Sequence, residues 1–184
     1  MSKNTKFIIK LALILFTISA VCVLVLALCN NLTKDTIYRI NIEKQENARR
    51  EVIKAETFEK VDFEEAEVYV GKNGNETVGY AVKVSPKGFG GSIDIMVGID
   101  NEKCVTGISI INISETPGLG SKANDVKFLS QYEGLSKDIK VIKGGNASGN
   151  EINAISGATV TSNAVTKGVN DAISIAQKVM EVAK

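Results

Sequence analysis

"SIDIMVGIDNEKCVTGISIINIS", residues 92–114, decides the fold. Residues 92–99 and 104–114 are two apolar runs rich in isoleucine and valine. The polar quartet DNEK separates them, which is the pattern of a β-hairpin. Upstream, residues 66–72 (AEVYVGK) and 77–85 (TVGYAVKVS) alternate in the same way around a KNGNE turn, giving a first hairpin. Downstream the period changes. Residues 125–132 predict a short helix with Asn124 as its cap, and residues 138–144 and 151–155 predict two short strands. Residues 161–183 predict a long terminal helix whose apolar face is Val165, Val169, Ala172, Ile173, Ala176 and Val179. Strands and helices do not alternate regularly. The fold class is therefore α+β, with an antiparallel sheet rather than a doubly wound parallel one.

The N-terminal end belongs to another environment. Residues 11–29 (LALILFTISAVCVLVLALC) carry no charge, and as a helix they cover about 28 Å, close to the apolar thickness of a bilayer. Lys3, Lys6 and Lys10 precede the run without an acidic residue, and mixed charges follow it from Lys34, Asp35 and Arg39. The positive-inside rule then places residues 1–10 in the cytoplasm, residues 11–29 across the membrane and the rest outside. The run is longer than a signal-peptide core and has no small-x-small site at its end, which favours an uncleaved anchor. Leu28 is bulky where a lipoprotein box needs a small residue before the cysteine. From Thr33 to about Ala55 the chain is charged and helix-favouring. Ile37, Ile40, Val52 and Ile53 form a partial apolar stripe, so residues 30–60 read as stalk and linker and residues 61–184 as the folded domain.

Composition removes several chemistries. The chain has 184 residues, a net charge of +1 and no histidine. Imidazole bases and imidazole metal sites are excluded, and no metal site is expected. The three cysteines, Cys22, Cys29 and Cys104, form no CxxC pair. Near-neutral charge gives no footprint for nucleic acid.

Two motifs remain. The first is "SGATVTS", Ser156 to Ser162, at the start of the terminal helix. A turn through Gly157 with Thr161 or Ser162 as helix cap accounts for it without a ligand. The same residues also suit a phosphate, because a helix start exposes unpaired N–H groups and small residues admit a bulky anion. A threonine hydroxyl placed there accepts a phosphoryl group only with an outside base or metal. The second motif is "SETPGLGSK", residues 114–122. A Pro-Gly turn explains Pro117 and Gly118 but does not require Glu115, Thr116 or Gly120. A third segment, "PKGFGGSIDIMVGID" (86–100), brings Gly88, Gly90 and Gly91 to a strand entry. There they either admit a flat ring or simply form a hairpin loop.

Taken together, SGAT, ETPGLG and the glycine-rich strand entry resemble the FMN-binding domain family found in the electron-transport subunits RnfG and NqrC; chain length fits the RnfG type better. The resemblance implies a covalent FMN, phosphoester-linked to Thr159, with Thr161 as the fallback. A separate Mg²⁺-dependent flavin transferase would deliver it from FAD. Ser156, Gly157 and Ala158 would complete the attachment motif, while Glu115, Thr116, Gly118, Leu119 and Gly120 would lie near the flavin. In that picture amides around Gly118 and Gly120 donate to the ring, and Glu115 and Thr116 order the loop. The family pattern places an aspartate where this chain has Asn153. The implied function is an electron carrier without catalysis of its own. It would sit among the other subunits of a membrane complex that couples ferredoxin:NAD⁺ electron transfer to Na⁺ or H⁺ movement. A noncatalytic anchor, or a flavin subunit of another extracytoplasmic system, stays open from the residues alone.

Overall fold

A computed structural model describes residues 3–63 and 66–182. Met1 and Ser2 of the expected cytoplasmic segment, and Ala183 at the expected helix end, lie outside the described residues. The chain divides into two compact units, Met1–Glu43 and Lys44–Lys184.

The first unit is helical. Helix α1 is assigned over Lys3–Val52, and its described apolar side chains in this unit, from Phe7 to Ile42, are exposed. A helix this apolar, with nothing buried against it, is a candidate membrane span. Ile37 and Ile40 of the expected stripe are exposed here, whereas Val52 and Ile53 are buried in the second unit.

The second unit is a five-stranded antiparallel meander: β1 (Thr57–Phe63), β2 (Ala66–Asn73), β3 (Glu76–Val84), β4 (Ile93–Ile99) and β5 (Val105–Ile113), in spatial order of sequence. Both hairpins form where the alternation places them, with Val82 opposite Val97 and Val97 opposite Ile108. Strand β1 is not foreshadowed by the alternation. It begins inside the segment 30–60 read as stalk, so the sheet starts before residue 61. Its sequence, TFEKVDF, carries three charges on an edge strand, and that composition hides it.

Each face of the sheet has its own cover. Helix α3 (Thr159–Val182) packs on β3 and β4. All six residues of its expected apolar face are buried, together with Val82, Ile93, Ile95, Val97 and Ile99. Each large apolar side chain buried in this way contributes roughly 1.5–3 kcal/mol. Ala48 and Val52 of α1, with Ile53 just after it, cover Ala81 and Met96 on the opposite face.

Between β5 and α3 the chain makes a 3₁₀ turn (Gly120–Asn124), the one-turn helix α2 (Val126–Leu129) and a second 3₁₀ turn (Ser130–Tyr132). Asp125, not Asn124, precedes α2, and it makes no side-chain cap bond. Strands β6 (Lys140–Ile142) and β7 (Glu151–Asn153) then pair in parallel, a small exception to the antiparallel expectation.

Tyr132 is fully buried, edge-on to Phe128. The Thr166 hydroxyl donates to the Ser162 carbonyl (2.9 Å), so in the 2.8 Å contact between Tyr132 and Thr166 the phenol is the donor. Burial pushes the Tyr132 phenol far above its ordinary 10.0, only partly offset by that hydrogen bond. An acid whose folded value is raised stabilises the fold below the unfolded value and loses that contribution as pH climbs above it. Urea midpoints should therefore fall as pH rises past ~10, and Tyr132→Phe should flatten the slope at a neutral-pH cost of about 1 kcal/mol.

Candidate functional site

Two turns of one design meet beside the start of α3. Thr116–Leu119 closes with the Leu119 amide donating to the Thr116 carbonyl (3.2 Å), with Gly118 third in the turn at φ 76°. Ile155–Ala158 closes with the Ala158 amide donating to the Ile155 carbonyl (3.0 Å), with Gly157 third at φ 78°. A positive φ at the third residue of an i→i+3 turn defines type II, and glycine adopts it without strain. The sequence needs both glycines for backbone shape before any ligand is considered.

The SGAT turn leads straight into α3, which starts at Thr159. Thr161 and Ser162 are therefore in the first helical turn and do not cap it. Their hydroxyls are occupied otherwise. Ser162 Oγ accepts from the Ile155 amide (2.9 Å) and donates to the Ala158 carbonyl (3.0 Å), stapling the turn to the helix. Thr161 is 1% exposed and donates to Glu115 Oε2 (3.0 Å). Thr166 is held by Tyr132 and Ser162. Thr161, Ser162 and Thr166 are the buried polar residues among those described, and all three are satisfied inside the protein.

Glu115 is the joint of the site. Its Oε1 accepts from the amides of Phe89 (2.7 Å) and Gly90 (3.2 Å), while its Oε2 takes the Thr161 hydroxyl. One carboxylate thus ties the glycine-rich loop, the ETPGLG loop and α3. This corrects the reading of Gly88 and Gly90 as space for a ring. A Cβ on Gly88 would strike Glu115 Oε1, and one on Gly90 would strike the Ser114 carbonyl, so the chain's own atoms fill that space. The Gly118 amide is also engaged, donating to Ser121 Oγ (2.9 Å) instead of facing a ligand.

The joint frames a cleft of about 390 Å³, lined by residues of all three segments, among them Phe89, Glu115, Thr116, Leu119, Gly120 and Gly157 to Thr161. That volume is in the range of small-ligand sites, roughly 300–1,000 Å³. Eight of the ten residues named from the sequence line it. Gly118 does not, and Ser156 turns instead to a neighbouring depression with Lys122, Gln131 and Asn153. There the Asn153 side-chain oxygen is buried without a hydrogen-bond partner among the described residues. Sequence reasoning missed Phe89 and Val160. Both are exposed, 74% and 55%, as is Leu119 at 45%; together they give the cleft an apolar rim. Thr159 stands half-buried on the cleft at the helix start, where amide N–H groups lack helical partners and positive dipole collects. Apolar rim, small-residue approach and a hydroxyl at a positive helix end fit a flat ring carrying a phosphate.

Residues 88–174 match the FMN-binding domain family, and residues 1–52 match the RnfG N-terminal region. The NqrC crystal structure from Shewanella oneidensis has the same fold, with a TM-score of 0.53 at 23% identity over 67% of this chain and 66% of that one. Fold and domain match together define a protein with an N-terminal apolar helix and an FMN-binding domain. The RnfG protein of the Na⁺-translocating ferredoxin:NAD⁺ oxidoreductase complex of Acetobacterium woodii is 42% identical over 94% of this chain and 93% of its own. Its counterpart in the proton-translocating ferredoxin:NAD⁺ oxidoreductase complex of Clostridium ljungdahlii is 36% identical over 65% of this chain and 64% of its own. The chain belongs to the RnfG family.

Proposed function

We propose that the chain is a membrane-anchored electron carrier holding FMN covalently through a phosphoester at Thr159, in a complex that couples ferredoxin:NAD⁺ electron transfer to ion movement. The observation that carries the reading is the division of hydroxyls at the start of α3. Ser162, Thr161 and Thr166 are spent on the fold, and Thr159 is the one half-buried on the cleft. FMN, when bound, supplies the electron chemistry; the protein supplies position and surroundings. Thr159 Oγ would hold the FMN phosphate as a phosphoester: on the flavin transferase it would displace AMP from FAD as the phosphoanhydride bond breaks, with the hydroxyl proton passing to a base of the transferase. The first-turn amides of α3 would face the phosphate charge, and Leu119 and Val160 would give the ring apolar neighbours in the cleft. The lysines before the apolar run and the mixed charges after it support an extracytoplasmic position for the FMN domain.

Intact-mass measurement tests the reading. The chain co-expressed with its transferase should gain the mass of FMN less water and fluoresce in a denaturing gel. An unmodified mass in the purified native complex overturns it.

A further inference from the structure

Phe89 is the side chain the motifs do not account for. It is an aromatic ring 74% exposed on a domain whose ring–ring pair, among the described residues, is the buried Phe128–Tyr132. Among the described residues outside α1 the large exposed apolar side chains are Phe89, Leu119, Val126, Val160 and Val182, and three of those five rim one cleft. Exposed apolar side chains gathered in one concave place mark a binding surface. The loop under Phe89 is fixed rather than loose. Its own amide and that of Gly90 are held by Glu115, and the Gly88 amide donates to the Gly91 carbonyl (2.7 Å). Gly90 lies so close against Ser114 that any side chain there would collide with the Ser114 carbonyl. The sequence has therefore built a stiff stand for an aromatic ring that pairs with no other ring among the described residues.

We infer that Phe89 is a flavin-binding residue, the wall against which the isoalloxazine ring stacks. The inference rests on the proposed attachment at Thr159 and adds the ring's second point of contact. A tether at Thr159 fixes the phosphate end alone; a ribityl chain between phosphate and ring leaves the ring free to swing. Stacking on Phe89 would hold it in the cleft, with offset or edge-on geometry favoured by the ring quadrupoles. Glu115 then acts through Phe89 as a positioning residue, by holding the loop that carries it.

The test uses the full-length flavinylated chain in detergent. Phe89→Trp places a strong electron donor where the proposal puts the flavin, and contact would shorten the flavin fluorescence lifetime severalfold. Phe89→Ala should lower the anisotropy of flavin fluorescence and raise its quenching by iodide severalfold, because the ring is released into solvent. Phe89 is mostly exposed, so neither variant removes core packing, and far-ultraviolet circular dichroism checks the fold. Both variants should keep the mass gain of covalent FMN. An unchanged lifetime in Phe89→Trp, with unchanged anisotropy in Phe89→Ala, overturns the contact while leaving the attachment standing. A wild-type chain without the mass gain overturns the attachment instead.

Discussion

Thr159→Val is expected to return the chain at its unmodified mass, with no fluorescence in a denaturing gel, even when the transferase is in excess. The loss should be complete because valine keeps the shape of threonine and removes the only atom able to bond phosphorus. Stability should change little, since Thr159 is half-buried and its hydroxyl has no hydrogen-bond partner among the described residues. Thr161→Val is the informative companion. Its hydroxyl is buried against Glu115, so the expected cost is folding stability, about 1–3 kcal/mol for leaving one lone pair of a carboxylate unmet. Covalent flavin should still be present on the folded fraction. The opposite pattern, with Thr161→Val unmodified and Thr159→Val loaded, would sink the assignment of the attachment oxygen.

The contrast between these two threonines also shows what a sequence conveys. Local information is enough for the hairpins and for the buried face of α3, because alternation and helical spacing are written residue by residue. It is not enough to bring SGAT and ETPGLG together: the resemblance to the FMN-binding domain family joins them, and the contact itself is the bond from Thr161 to Glu115, 46 residues apart. It misjudges Thr161 and Ser162, which look like caps, because their hydroxyls bond partners 46 and 7 residues away. It misses Phe89 for the same reason. An aromatic between glycines has no period, and only the Glu115 carboxylate, 26 residues on, turns that loop into a wall of the cleft. Strand β1 escapes because an edge strand is charged by need and resembles a linker. What stays unreadable in each case is a contact made across the fold, not a local preference.

Gly98→Ala carries the largest expected loss of stability. Strands β2 to β5 each place one glycine beneath residues 52–55: Gly71, Gly79, Gly98 and Gly107. Together they form a trough in the sheet face where the end of α1 rests, and Thr106 Oγ1 donates to the Val52 carbonyl there at 2.6 Å. A Cβ on Gly98 would strike both the Val52 carbonyl oxygen and Thr106 Oγ1, with the Val52 carbonyl carbon only 2.9 Å away. Backbone atoms cannot rotate aside as a side-chain end can. The end of α1 must lift, breaking the Thr106 bond and loosening Val52 and Ile53 from Ala81 and Met96. Overpacking of this kind plus one lost hydrogen bond amounts to about 3 kcal/mol. Gly107→Ala is the control: its Cβ would meet only Val52 Cα, at an ordinary 3.7 Å, so a change within about 1 kcal/mol is expected. Urea unfolding of the full chain in detergent, followed by tyrosine signals, compares the two. Equal midpoints would mean that α1 does not need the trough. A large gap would mean that residues 44–53 belong to the sheet domain, so that any fragment cut at residue 61 leaves Ala81 and Met96 bare.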